Sequence, residues 1–166
     1  MNNKGVRTVL VAAAVALCGA CTSNGSESGS ATAAMPRTEV TVESAGGSHR
    51  FDVEVARTKD EQANGLMYRT DIPQNGGMLF APYPAGGGAP RAASFWMRNT
   101  PSPLDILFIR PDGTVATLAE NTIPFSEAPV SSGEPVSAVL EIRGGRAAEL
   151  GIAEGDKVRW KDVGAK

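Results

Sequence analysis

Ser94-Phe95-Trp96-Met97-Arg98-Asn99-Thr100-Pro101-Ser102-Pro103-Leu104-Asp105-Ile106-Leu107-Phe108-Ile109 holds the most reactive grouping in the chain: a guanidinium, a carboxamide and a carboxylate set between apolar runs. Leu104 and Ile106 to Ile109 leave no polar side to give to water, so they predict a strand buried on both faces. Asp105 then enters a place where a carboxylate is unfavourable unless donors meet it. Arg98 and the Asn99-Thr100 backbone are near enough in the chain to supply them across the Pro101-Ser102-Pro103 bend. Such a rigid polar loop beside an apolar wall suits ligand binding, and it suits equally a satisfied network that only shapes the turn.

Two chemistries use these residues. In a binding module, Met67, Met78, Trp96 and Met97 would line an apolar cleft, and Arg98, Asn99 and Asp105 would orient a small ligand; the methionines also fit as ordinary core filler. In a hydrolase-like enzyme Asp105 would act as acid or base, with Glu141 as the other carboxylate embedded in an apolar strand. Opposite sides of the sheet would remove that pairing. Methionine sulfurs select Cu(I) where three converge, but these all sit in apolar strands or turns. A fourth possibility is a protein-interaction or envelope-assembly domain whose loops recognise a partner.

Composition narrows the field. The chain has two cysteines, Cys18 and Cys21, both in its leader, so the folded part has no thiolate chemistry and no cysteine-ligated metal. The single histidine, His49, lies at a hairpin turn and cannot by itself build a triad or a multi-histidine metal site. No glycine-rich stretch has phosphate-loop spacing, and no cofactor is expected. Without Lys4 and Arg7 the chain carries fourteen basic side chains against eighteen acidic ones, a formal charge near −4, so nucleic acid is not an expected partner.

Residues 1–20 read as an export signal: Lys4 and Arg7, then an apolar core from Val9 to Leu17 too short to span a bilayer. Leu17-Cys18-Gly19-Ala20-Cys21 is similar to the bacterial lipoprotein cleavage box, which implies acylation of Cys21 and a membrane anchor. Cys18 stands where that box usually has leucine, so lipidation at Cys18, or cleavage at Gly19-Ala20 to a soluble exported protein, stays open. Residues 21–37 are rich in Ser, Gly, Ala and Thr and read as a flexible tether. The expected location is the bacterial cell envelope, on the extracytoplasmic, periplasmic side.

Residues 38–162 are the length of one domain, expected as a monomer. Alternation in Thr38 to Ser44 and in Phe51 to Val55, around Ala45-Gly46-Gly47-Ser48, predicts a hairpin. Thr58-Lys59-Asp60-Glu61 has capping-box spacing and opens a short helix that ends at Asn64-Gly65. Met78 to Phe80 is a short buried strand, and Ala81 to Pro90 a loop and candidate flap. Pro111-Asp112-Gly113 turns into a strand over Thr114 to Ala119, Asn121 to Pro135 is a long connection, and Val136 to Ile142 and Lys157 to Trp160 are strands. The pattern is mainly β: a small antiparallel sandwich or barrel with one or two short helices.

Gly65-Leu66-Met67-Tyr68-Arg69, Gly77-Met78-Leu79-Phe80, Phe95-Trp96-Met97-Arg98-Asn99-Thr100, Pro103 to Ile109, Leu140-Glu141-Ile142 and Gly155-Asp156 come in an order that resembles the domain of unknown function 192 family. The resemblance covers roughly Val40 to Trp160. It implies a compact, mostly β domain with a short helix after the first hairpin, commonly exported in bacteria and sometimes lipid-anchored, and it implies no reaction. Ala85 to Ala93 is longer than the family's usual connection.

Overall fold

A computed structural model describes residues 34–162. The predicted leader, Cys21 and most of the predicted tether lie outside the described residues. No helix among the described residues is long and apolar enough to cross a membrane.

The fold is mainly β. Strands β1 (Arg37–Ser44) and β2 (Gly47–Ala56) form the first hairpin, and α1 (Lys59–Asn64) follows. Then come β3 (Gly77–Phe80), β4 (Arg91–Phe95), β5 (Leu104–Ile109), β6 (Val115–Ala119), β7 (Val130–Val136), β8 (Ala138–Arg143), α2 (Arg146–Leu150) and β9 (Lys157–Trp160). Seven strands make one sheet in the order β6-β5-β8-β3-β2-β1-β9, and β4 and β7 make a second. The large sheet curls into a half-barrel, and a bridge between Thr114 and Lys157 brings its two edges together at one end.

Alternation explains the two cores. One face of the curled sheet turns Val40, Phe51, Leu79, Leu107, Leu140 and Ile142 into the half-barrel. The other turns Met78, Phe80, Ile106, Phe108 and Val139 outward, where Ala93 of β4, Val136 of β7 and Leu66 cover them. Strand β5 lies between both cores and is buried at all six positions, as its unbroken apolar run predicts.

Two features depart from the expected antiparallel plan. Strands β2 and β3 pair in parallel, with Glu54 opposite Met78, because the stretch through α1 carries the chain back to the same end of the sheet. The connection Asn121 to Pro135 is not loop throughout, since β7 runs from Val130 and pairs with β4. Ser131, Ser132, Gly133 and Pro135 hide β7 in the sequence. A two-stranded sheet leaves one side of each strand unpaired, and there a proline removes no ladder bond. Ser132 marks an irregularity in that ladder: its hydroxyl accepts from the Ala93 N–H at 2.8 Å and donates to the Glu134 carbonyl at 2.7 Å.

The capping box forms as its spacing predicts. Thr58 Oγ1 accepts from the Glu61 amide at 3.2 Å, and the Glu61 carboxylate accepts from the Thr58 and Arg57 amides. Those two amide bonds hold the Glu61 carboxyl below its ordinary pKa.

Candidate functional site

The Pro101-Ser102-Pro103 bend does not join Arg98 to Asp105. Asp105 is fully buried, and its donors are three backbone amides: Asn121 N–H at 2.7 Å and Gly145 N–H at 2.9 Å on Oδ1, and Ala147 N–H at 2.7 Å on Oδ2. Helix α2 has no side-chain cap of its own, with Gly145 at its N-cap, so a carboxylate from β5 answers its free amides. Close approach makes this possible: a side chain on Gly144 would meet Pro103 at 2.8 Å and the Asn121 carboxamide oxygen at 2.9 Å. The expectation that Arg98 and the Asn99-Thr100 backbone satisfy Asp105 is therefore corrected. Asp105 is a sealed structural carboxylate, and sequence proximity misled because its partners lie 16, 40 and 42 residues away.

Arg98 is exposed, and its guanidinium lies 5.1 Å from the centre of the Trp96 ring. Asn99 is half-buried in the left-handed region at φ 55°, with its side-chain amide 3.9 Å from Met67 Sδ. Met97 and Met78 are fully buried in the outer core, where the Thr122 hydroxyl sits 3.1 Å from Met97 Sδ. Of the seven residues proposed for ligand contact, Met67 and Trp96 line a common cleft; Met78, Met97, Arg98, Asn99 and Asp105 are not in its lining.

That cleft has a volume of about 310 Å³, within the range usual for small-molecule sites. One wall is the C-terminal part of α1 and its exit, including Gly65 and Met67. The opposite wall is aromatic: Phe80, Tyr83, Phe95 and Trp96. Phe95 is central to it, 5.0 Å from Phe80 in an edge-to-face pair and 5.9 Å from Tyr83. The candidate flap Ala81 to Pro90 is tied at Tyr83, whose N–H donates to the Ser137 carbonyl at 2.8 Å.

Glu141 also lines this cleft. On β8 it faces the outer core, flanked by Ile106 of β5 and Met78 of β3 at the same register. It is 4 % exposed, no donor among the described residues hydrogen-bonds its carboxyl, and its oxygens are not among the fully enclosed polar atoms, so the carboxyl opens onto the cleft. Burial alone pushes the Glu141 carboxyl up to about 8, so it is mostly protonated at neutral pH. Gly77 helps to hold this register, since any side chain there would run into the Glu141 carbonyl. Asp105 pairs with Ile142, one position over, and so faces the half-barrel interior. The two carboxyl groups thus lie on opposite faces of the sheet, which removes the paired-carboxylate reading.

Apart from Trp96, the aromatic wall is what sequence reasoning missed. A signal existed: the chain has two Trp, two Tyr and five Phe, and four of these nine fall between Phe80 and Trp96. Among the described residues no three His, Cys, Asp or Glu side chains gather as they would around a metal ion.

Tyr68, Asn99, Asn121 and Phe125 all have positive φ, between 46° and 64°, a conformation unfavourable for bulky residues. Three are clamped to one segment: the amides of Tyr68, Phe125 and Asn121 donate to Asn99 O, Thr100 O and Asp105 Oδ1. Tyr68, Ile123 and Phe125 are left 70 %, 73 % and 63 % exposed.

The profile of the DUF192 family, described as uncharacterized ACR, matches residues 40–160. This chain belongs to the DUF192 family. Two crystal structures are similar to it. A protein of unknown function from Novosphingobium aromaticivorans is 48 % identical with a TM-score of 0.71, the match covering 76 % of this chain and 86 % of that one. A proposed transcription regulator from Sinorhizobium meliloti is 39 % identical with a TM-score of 0.70, covering 76 % of this chain and 95 % of the other. No curated protein matches the chain. DUF192 membership carries the fold and assigns no activity, so a functional reading has to come from the cleft.

Proposed function

We propose that this DUF192 chain is an extracytoplasmic binding module, lipid-anchored through Cys21, that holds a small molecule in the cleft floored by Glu141. The observation that carries the reading is a carboxyl group on a buried strand that opens onto an aromatic-walled cleft and meets no hydrogen-bond donor among the described residues. A fold gains nothing in stability from such a group, and natural chains keep unfavourable groups chiefly where a ligand uses them. The leader and the Leu17-Cys18-Gly19-Ala20-Cys21 box support the anchor and the envelope location. The regulator description of the Sinorhizobium protein is not carried over, because sixteen basic side chains against eighteen acidic ones offer little to a phosphate backbone.

Native mass spectrometry of the full chain purified from its own envelope tests this reading. Ala63 lines the cleft from the exposed side of α1, so Ala63→Trp should fill the mouth without disturbing either core. The expected result is a small-molecule adduct on the natural protein that disappears in A63W. A ligand-free natural protein, or an adduct that A63W retains, would overturn it.

A second reading rests on exposed Tyr68, Ile123 and Phe125, whose apolar side chains suit a protein partner. If that reading holds, replacing the three by serine removes a cross-linked envelope partner and leaves the small-molecule adduct in place.

A further inference from the structure

Resting on the cleft-binding reading, we infer that the ligand is an organic cation, an alkylated ammonium of the choline type, whose charged head meets Glu141 among the rings of Phe80, Tyr83, Phe95 and Trp96. The cleft combines two features that recognise such heads: aromatic faces, which attract a weakly hydrated cation, and one acid that nothing else neutralises. Among the described residues Glu141 is the only acidic or basic side chain in the lining, and Tyr83 the only other titratable one. The neighbours packed beside it, Ile106 and Met78, are apolar, while Arg143, two residues along the same strand, is exposed. No cation within the cleft therefore competes for this carboxylate.

Two of the rings already receive cations. The Arg98 guanidinium lies 5.1 Å from the Trp96 ring centre and the Arg91 guanidinium 5.6 Å from that of Tyr83. Neither arginine lines the cleft. Two rings of this wall thus attract cations in this fold, while no arginine among the described residues reaches the interior acid, which is left for a ligand to pair.

Pairing has a measurable signature in protons. Glu141 by itself is mostly protonated at neutral pH and a cation binds the ionised form, so binding at pH 7 releases about one proton per ligand. With a quaternary ammonium, which does not itself titrate, affinity rises about ten-fold per pH unit until about pH 8 and then levels off.

The test is an NMR titration of the full chain with choline and with its neutral isostere 3,3-dimethylbutan-1-ol, following the two indole N–H signals. Trp96 lines the cleft, and Trp160, packed against the half-barrel core, is the control. Choline should move Trp96 saturably and leave Trp160 still, the isostere should bind at least ten-fold more weakly, and Glu141→Gln should erase the difference between them. Equal binding of the isostere would overturn the cation inference while leaving the cleft a binding site. A choline preference that survives Glu141→Gln would overturn the role of Glu141. Failure of both probes to move Trp96 would overturn the inference, and the adduct experiment with A63W then decides separately whether the cleft binds anything.

Discussion

Asp105 and Glu141 are carboxyl groups one register position apart on neighbouring strands of one sheet, and their surroundings differ completely. Asp105 faces the half-barrel core and takes three backbone amides at 2.7–2.9 Å. Glu141 faces the outer core and takes none from the described residues. Each was bound to be unfavourable in a buried strand, yet the fold satisfies one and leaves the other. The difference separates architecture from function: Asp105 ties β5 to α2 and to the Asn121 turn, whereas Glu141 does nothing for the fold that an apolar residue would not do better.

Breaking the satisfied member should have the largest effect. Asp105→Ala leaves three buried amides without an acceptor and uncaps α2, which should cost about 3–5 kcal/mol of unfolding free energy. Urea denaturation followed by circular dichroism measures it. A loss under about 1 kcal/mol would mean that the three bonds contribute little and that the comparison is misdrawn.

Removing the unsatisfied member should act in the opposite direction. The folded-state pKa of Glu141, about 8, lies above its ordinary 4.5, so the folded protein holds this proton more tightly than the unfolded chain does. Its contribution to stability is complete below about pH 4.5 and is lost as pH rises to about 8. Between pH 5 and pH 9 the natural protein should lose about 2–4 kcal/mol more than Glu141→Gln does, and the variant should be the more stable one at pH 9. Parallel pH profiles for the two proteins would show that Glu141 is solvated or paired in solution, and the contrast with Asp105 would vanish.

How far this contrast could be read from the chain follows from where the partners lie. The burial of Asp105 was legible, because Leu104 and Ile106 to Ile109 allow no wet face, and so was the oddity of Glu141 within an apolar strand. The partners were not legible. Asp105 draws its donors from glycine-rich and turn segments far along the chain, and backbone amides have no residue-type signature. The cleft likewise combines Phe80 from β3, Tyr83 from a proline-rich loop, Phe95 from β4 and Glu141 from β8, and only the pairing of β3 with β8 and the covering by β4 and β7 bring these together. The hairpin, the capping box and the buried β5 were readable because local periodicity and local hydrogen bonds decide them. Strands β4 and β7 were hidden because a short two-stranded layer tolerates Ser, Gly and Pro.

Arg98 gives the smallest effect and the finest distinction. It is exposed, away from Asp105, and its identified contact is the face of Trp96, so Arg98→Ala should change stability by less than about 1 kcal/mol. Its effect on binding separates two chemistries. An anion would use this guanidinium as its partner, and R98A would weaken it strongly. A cation at Glu141 makes no contact with a guanidinium outside the lining and is only relieved of a like charge, so R98A should leave choline affinity unchanged or raise it a few-fold. A ten-fold loss of choline binding in R98A would instead show that the guanidinium orients Trp96 for the ligand, placing Arg98 within the working site and away from the purely exposed role its geometry gives it.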